Sequence, residues 1–76
     1  MQISYDTEAD AMYIKFRDGE FARNKEVEEG IILDIGKDGA LLGIEILEAS
    51  SRFHPEDLAR VDIQMPLNLA KTSAGH

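Results

Sequence analysis

Two apolar runs around a glycine-containing turn constrain this chain more than any other part of its sequence. Residues 31–35 and 40–47 flank the turn Gly36-Lys37-Asp38-Gly39, and Asp-Gly between two apolar runs is typical of a β-hairpin. A three-residue turn with Gly39 in the left-handed conformation would shift the strand pairing by one residue through a bulge. A two-residue turn with Asp38-Gly39 at its tip instead gives three apolar cross-strand pairs on one face: Ile35 with Leu42, Leu33 with Ile44, and Ile31 with Ile46.

The second face of this hairpin is mixed rather than polar. In the two-residue register it carries Ile32, Asp34, Leu41, Gly43, Glu45 and Leu47. The side chains of Ile32, Leu41 and Leu47 would be in contact with water unless the C-terminal segment or a second copy of the chain covers them. We therefore predict a homodimer that buries this apolar strip.

Alternating polar and apolar residues predict further strands. The pattern places strands at residues 2–6 and 12–17, joined as a hairpin by the polar turn 6–10, a short charged edge strand at 25–28 after a loop from 18 to 24, and a last strand at 61–65. One short helix is expected over residues 55–60, because Pro55 suits the first helical position and acidic residues follow it.

The predicted fold class is α+β, mainly β: a small antiparallel β-meander with one short C-terminal helix. Residues 1–69 would form this single β-rich domain. Residues 70–76 lack periodicity and are expected to form a frayed tail.

The chain is short, acidic and free of cysteine. A domain of 76 residues hides only roughly 60% of the surface of its unfolded chain, and such folds lean on disulfides, a metal or a second copy of themselves. Disulfides are excluded here. Fifteen acidic against eight basic residues give a net charge of −7, which disfavours binding to nucleic acids and to membranes. The N-terminal sequence lacks the basic and apolar regions of a signal peptide, so we expect a cytoplasmic protein.

A complete catalytic motif is missing from the sequence. Ser50 and Ser51 lie close in sequence to His54, but neither a glycine elbow nor an oxyanion hole accompanies them. Serines before a proline-led helix commonly serve in capping and turns, and this is the role that we predict for them.

The acidic residues offer a divalent-ion site as an alternative. Six of them could gather at one end of the sheet as oxygen ligands: Asp6, Glu8, Asp10, Asp34, Asp38 and Glu45. Residues 6–10 superficially resemble a calcium loop, but the glycine and the terminal glutamate of such a loop are missing. Aspartate side chains that accept hydrogen bonds from backbone amides of the turn explain the same residues. We therefore predict no metal and no cofactor.

Two acids on the second face of the hairpin form a separate candidate. Asp34 and Glu45 lie diagonally across that face, where paired carboxylates could act as an acid and a base. Ion pairing with Arg52, with Arg60 or with an arginine of a partner is the favoured interpretation.

Tyr5 and Tyr13 fall on adjacent predicted strands. They could stack on nucleic-acid bases or line the mouth of a ligand site. Because acidic residues flank both tyrosines, packing in the core or at a sheet edge is the predicted role.

Several segments together carry a family resemblance: Tyr5-Asp6, Asp10, Met12-Tyr13-Ile14, Gly30-Ile31-Ile32-Leu33-Asp34, Asp38-Gly39 and above all Gly43-Ile44-Glu45-Ile46-Leu47-Glu48-Ala49-Ser50. Over most of residues 1–53 the chain resembles the prokaryotic domain-of-unknown-function family numbered 2283. The resemblance implies a small single-domain protein and carries over no activity and no catalytic residue. It also implies an antitoxin-type partner role, because some members are thought to be encoded beside small toxin-like proteins, and an acidic surface would suit a basic partner.

The functional prediction is a non-enzymatic protein-interaction module. The alternative is a small metal-dependent hydrolase that uses Asp34, Glu45 and the loop 6–10. The candidate interaction or family-signature residues are Tyr5, Asp6, Asp10, Tyr13, Ile32, Asp34, Leu41, Glu45, Leu47 and Ser50.

Overall fold

The computed structural model describes residues 1–66. Five strands form one antiparallel sheet, and two four-residue helices follow: β1 (Gln2–Asp6), β2 (Ala11–Lys15), β3 (Phe21–Glu28), β4 (Ile31–Gly36), β5 (Leu41–Ile46), α1 (Ala49–Arg52) and α2 (Pro55–Leu58). The mainly β, α+β class is confirmed. The predicted helix is α2, with proline in its first turn, and α1 is an addition to the prediction. The predicted tail 70–76 lies outside the described residues.

The strand order across the sheet is β1-β2-β5-β4-β3. The predicted β1–β2 hairpin is confirmed, and β3, β4 and β5 pair in chain order. The two groups meet where β2 pairs with β5, setting Ile14 opposite Ile44 and Met12 opposite Ile46. At this one junction the sheet departs from the neighbour-to-neighbour order of a simple meander.

The β4–β5 turn is the three-residue alternative, and a bulge restores the outer pairs of the two-residue register. The outer pairs Ile31 with Ile46 and Leu33 with Ile44 are confirmed, but Ile35 lies opposite Leu41 across a register shift. The N–H of Gly36 donates to the Ala40 carbonyl at 2.8 Å, and Gly39 has a φ of +83°, so the loop has three residues. Leu42 is the extra residue of the bulge.

This bulge changes the face on which one predicted interface residue lies. Leu41 shares a face with Ile35, its cross-strand neighbour, and not with Ile32 as predicted. Leu42 turns the other way, beside Tyr13 and Asp34, and is 6% exposed. The predicted strip of Ile32, Leu41 and Leu47 is therefore wrong in its central member.

Two predicted segment boundaries are also wrong. β3 begins at Phe21 rather than at residue 25, because it pairs with β4 along its whole length through two bulges, and these pairings satisfy backbone groups whatever the propensity of the residues. Residues 61–65 form no strand, and Val61, Ile63 and Met65 are 59%, 64% and 60% exposed. Alternating apolar and polar residues indicate only that one side of a segment faces an apolar surface. A strand also needs a neighbouring backbone to pair with.

The sheet has one apolar face and one polar face. The apolar face, as the register defines it, comprises Ile3, Tyr5, Met12, Ile14, Ile31, Leu33, Ile35, Leu41, Ile44 and Ile46. Within residues 1–66 the only buried hydrophobic side chains are those of Leu42 and Ala49, and neither belongs to this face. None of the described helices is long and apolar enough to cross a membrane.

Candidate functional site

Among residues 1–66, the cover on the apolar face lies at one end. α2 and the residues after it lie over the β1–β2 side, where they leave a cleft of about 330 Å³ between the sheet and the side chains of Phe53, Leu58 and Val61. Ile3 and Tyr5 at the β1 edge, and Leu41 in β5, are each 39% exposed. Leu33, Ile35 and Ile44 are half-buried, so within the described residues the β3–β4–β5 part of the face forms an open apolar surface.

A hydrogen-bonded clasp holds the first hairpin against the first helix. Asp10 stands in the left-handed region, with a φ of +52°, and its carboxylate accepts from the Tyr5 hydroxyl at 2.6 Å, the Ser50 hydroxyl at 2.6 Å and the Ser50 N–H at 2.9 Å. The Asp10 carbonyl accepts from the N–H of Ala49 at 2.9 Å. Asp10 thus supplies the N-terminal cap of α1 from a turn about 40 residues away.

These hydrogen bonds set the protonation states of the clasp. The Ser50 hydroxyl, the Tyr5 hydroxyl and the Ser50 amide hold the pKa of Asp10 below its usual value. The hydrogen bond to Asp10 raises the pKa of Tyr5, so the phenol remains a donor at neutral pH. The clasp therefore favours an ionised Asp10, which accepts the hydrogen bonds, and a neutral Tyr5, which donates one.

We predict that Asp10→Ala lowers the melting temperature by roughly 4–8 °C, which is the effect of losing one helix cap in a domain of this size. Because folding lowers the pKa of Asp10, its stabilisation is complete above the ordinary aspartate value of about 4 and is lost as the pH falls through the folded-state value. The advantage of the wild-type chain over Asp10→Asn should therefore disappear in acid. Thermal melts against pH test this, and a constant difference down to strong acid would contradict it.

A second polar cluster lies on the opposite face of the sheet. The Asp34 carboxylate accepts from the Tyr13 hydroxyl at 2.9 Å and from the Asn24 side-chain amide at 2.7 Å. Burial and the hydrogen bond to Asp34 raise the pKa of Tyr13. The Tyr13 ring lies against Gly43, where a Cβ atom would clash with the ring and would stand 2.8 Å from the Ile14 carbonyl oxygen. This cluster links three strands, β2, β3 and β4.

Four of the six acidic residues considered as an alternative metal site, Asp6, Asp10, Asp34 and Asp38, have hydrogen-bond or ion-pair partners within the described residues. Asp6 accepts from the N–H groups of Glu8 and Ala9 at 3.0 and 3.2 Å, which confirms the predicted turn closed by an aspartate side chain. Across residues 1–66 no three acidic, histidine or cysteine residues are grouped so that they could hold a metal ion. Ser50 donates to Asp10 rather than pairing with His54.

The predicted ion pairs of Asp34 and Glu45 do not form within the described part of the chain. Arg52 instead donates from Nε to the Leu47 carbonyl at 2.9 Å and from Nη2 to the Glu29 carbonyl. Arg52 thereby ties the β3–β4 turn to the end of β5. Arg52 does not pair with Asp34 or Glu45 because it lies in α1, which the sequence did not predict, and its guanidinium there contacts backbone carbonyls.

The structure brings some of the predicted residues together and separates others. Tyr5, Asp10 and Ser50 form the clasp, and Tyr13 joins Asp34. The two tyrosines lie on opposite faces, because Tyr5 pairs with Met12, the neighbour of Tyr13 in β2. Sequence reasoning did not single out Asn24, it missed the contacts that Gly43 and Arg52 make, and it did not predict the exposure of the apolar face. The three apolar cross-strand pairs were the signal for that face.

Comparison with known proteins gives a family but no activity. A family model described as "Protein of unknown function (DUF2283)" matches residues 2–50, which confirms the predicted resemblance and includes all five strands. A protein of Methanosarcina mazei named "Putative hypoxanthine phosphoribosyltransferase" is 38% identical over 60 residues, which are 79% of this chain and 46% of that relative. This chain therefore spans less than half of that protein. No solved structure matches the chain.

Proposed function

We propose that this chain, which belongs to the DUF2283 family, is a non-enzymatic protein-interaction module that binds its partner through the apolar face of the sheet. The observation that carries the proposal is the burial pattern. Four of the five strands place ten mainly apolar side chains on one face, yet within residues 1–66 only Leu42 and Ala49 are buried hydrophobic residues. A sheet with one apolar face is stable when a second layer covers that face.

A protein that covers this face would bury its half-exposed side chains further. Fully burying one Leu or Ile side chain contributes about 1.5–3 kcal/mol relative to leaving it exposed, and the half-buried Leu33, Ile35 and Ile44 retain part of this gain for a partner. The chain's net charge of −7 would also steer basic proteins towards it, which supports the antitoxin-type role as one form of this function.

The polar residues offer less support for catalysis. Both Asp34 oxygens accept hydrogen bonds from side chains, and the raised pKa of Tyr13 keeps its phenol protonated at neutral pH, where it cannot act as a base. The activity in the name of the archaeal relative, phosphoribosyl transfer, would require a site that binds a phosphorylated ribose. Helix N-termini often bind phosphate, but the first amides of α1 already donate to Asp10.

Site-specific photo-crosslinking tests the proposal. A photoreactive amino acid is placed at Leu33 on the apolar face or, as the matched control, at its half-buried neighbour Ile32 on the polar face. In cells that express the chain, we expect crosslinks to protein from position 33 and far fewer from position 32. Equal yields from both positions, or no protein crosslinked at position 33, would contradict the proposal.

A further inference from the structure

We infer that the partner of the apolar face is a second copy of this chain, packed about a twofold axis that sets β3 of each subunit against the α2 border of the other. The inference rests on the proposed function and names its partner. It follows from the charges at the two borders of the face, which are opposite in sign and lie on opposite sides of the open apolar surface.

The β3 border of the face is basic. Arg23 and Lys25 lie opposite Ile35 and Leu33 in the β3–β4 register, so their side chains share the apolar face. Among residues 1–66, neither cation has a carboxylate within 4 Å, whereas Lys15, Arg17 and Lys37 are all ion-paired: Lys15 with Asp18, Arg17 with Asp38, and Lys37 with Glu20. Glu28 stands at the end of the same border, opposite Ile31, so the border carries a net positive charge.

The other border is acidic. The cleft at the α2 side of the apolar face is lined by Asp57 and Asp62 together with a single cation, Arg60. This border therefore has a net negative charge. It lies over β1 and β2, while the basic border lies on β3 at the far edge of the sheet.

Opposite charges at opposite borders make the face self-complementary. In a twofold dimer each contact occurs twice, because the same patch is used by both subunits. Turning one copy over onto another sets Arg23 and Lys25 of one subunit against Asp57 and Asp62 of its partner, and the second pair of borders meets in the same way. Leu33, Ile35 and Ile44 then lie at the centre of the interface, away from water.

Charge reversal tests both the partner and its orientation. One variant carries Arg23→Glu and Lys25→Glu, and the other carries Asp57→Lys and Asp62→Lys. Each variant alone would set like charges against each other at both contacts, so we expect its dimer dissociation constant to rise at least tenfold in sedimentation velocity. Mixing the two variants restores opposite charges at both contacts, and the heterodimer should form with an affinity close to that of the wild-type chain.

The outcomes separate this inference from the proposed function. Circular dichroism shows whether each variant is folded. An unfolded chain could not form the dimer that is expected in the mixture. A wild-type chain that stays monomeric at high concentration, or a mixture that does not recover the dimer, overturns the inference. If the monomeric chain still crosslinks a different protein from position 33, the proposed function stands and only the identity of the partner is wrong.

Discussion

Leu33→Lys is expected to raise the dissociation constant of the association formed by the apolar face about 100-fold or more. Leu33 lies in β4 between Lys25 and Ile44, so the new charge would enter the centre of the interface beside a like charge. Leu33 is already half-buried, so each subunit loses only part of the about 1.5–3 kcal/mol of apolar burial, and the losses of two subunits together correspond to roughly a 10- to 150-fold change. The desolvation of an unpaired ammonium group adds to it. Sedimentation velocity measures the dissociation constant.

Ile32→Lys is the matched control for this variant. Ile32 is the adjacent residue of the same strand, is equally half-buried, and lies on the polar face between Glu26 and Glu45. The lysine would therefore meet two acids and leave the apolar face unchanged. We expect the association to persist in Ile32→Lys. If Ile32→Lys raised the dissociation constant as much as Leu33→Lys does, the apolar face would not be the surface that forms the association.

The same pair of variants should differ in thermal stability. Binding to the folded state alone raises the melting temperature with protein concentration. The melting temperature of the wild-type chain and of Ile32→Lys should therefore increase on concentration, while that of Leu33→Lys should stay constant.

Gly43→Ala is expected to destabilise the fold by about 1–3 kcal/mol, the usual cost of forcing an extra carbon into a filled site. The new Cβ would clash with the Tyr13 ring and would stand 2.8 Å from the Ile14 carbonyl oxygen. An aromatic ring packed over a strand glycine stabilises sheets in this way. Chemical denaturation gives the free energy of unfolding.

The pKa of Tyr13 should also change in Gly43→Ala, because the new carbon displaces the ring. Burial and the hydrogen bond to Asp34 raise the pKa of Tyr13. Moving the ring towards water and breaking the 2.9 Å hydrogen bond should therefore return this pKa towards the ordinary value of about 10. Ultraviolet absorbance of the phenolate follows this titration. A double-mutant cycle isolates the contact: in a Tyr13→Ala background, Gly43→Ala should cost about 1 kcal/mol less. An equal cost in both backgrounds would contradict the role assigned to the ring.

The sequence predicted those features that depend on neighbouring residues. The turn at residues 36–39 with Gly39 in the left-handed conformation, the outer pairs of the β4–β5 hairpin and the proline at the start of α2 all arise from local chemistry, and all are present. The closure of residues 6–10 by the Asp6 side chain belongs to the same group.

Features that depend on distant contacts could not be derived in this way. No turn links β2 to β5, so their pairing follows only from the burial of Met12 and Ile14 beside Ile46 and Ile44. The bulge at Leu42 moves Leu41 to the apolar face, and alternation cannot locate a bulge. The link between Asp10 and Ser50 spans 40 residues. Both residues were recognised as part of a family pattern, but their contact became visible only in the folded chain.

Thiol reactivity tests most directly whether the apolar face is covered. The chain contains no cysteine, so Leu33→Cys and Ile32→Cys each introduce a single thiol, at half-buried neighbouring positions on opposite faces. The account predicts that a maleimide reacts far more slowly with Cys at position 33 than at position 32, and that the difference fades as the protein is diluted below its dissociation constant. Equal rates at all concentrations, or protection at position 32 instead, would contradict it.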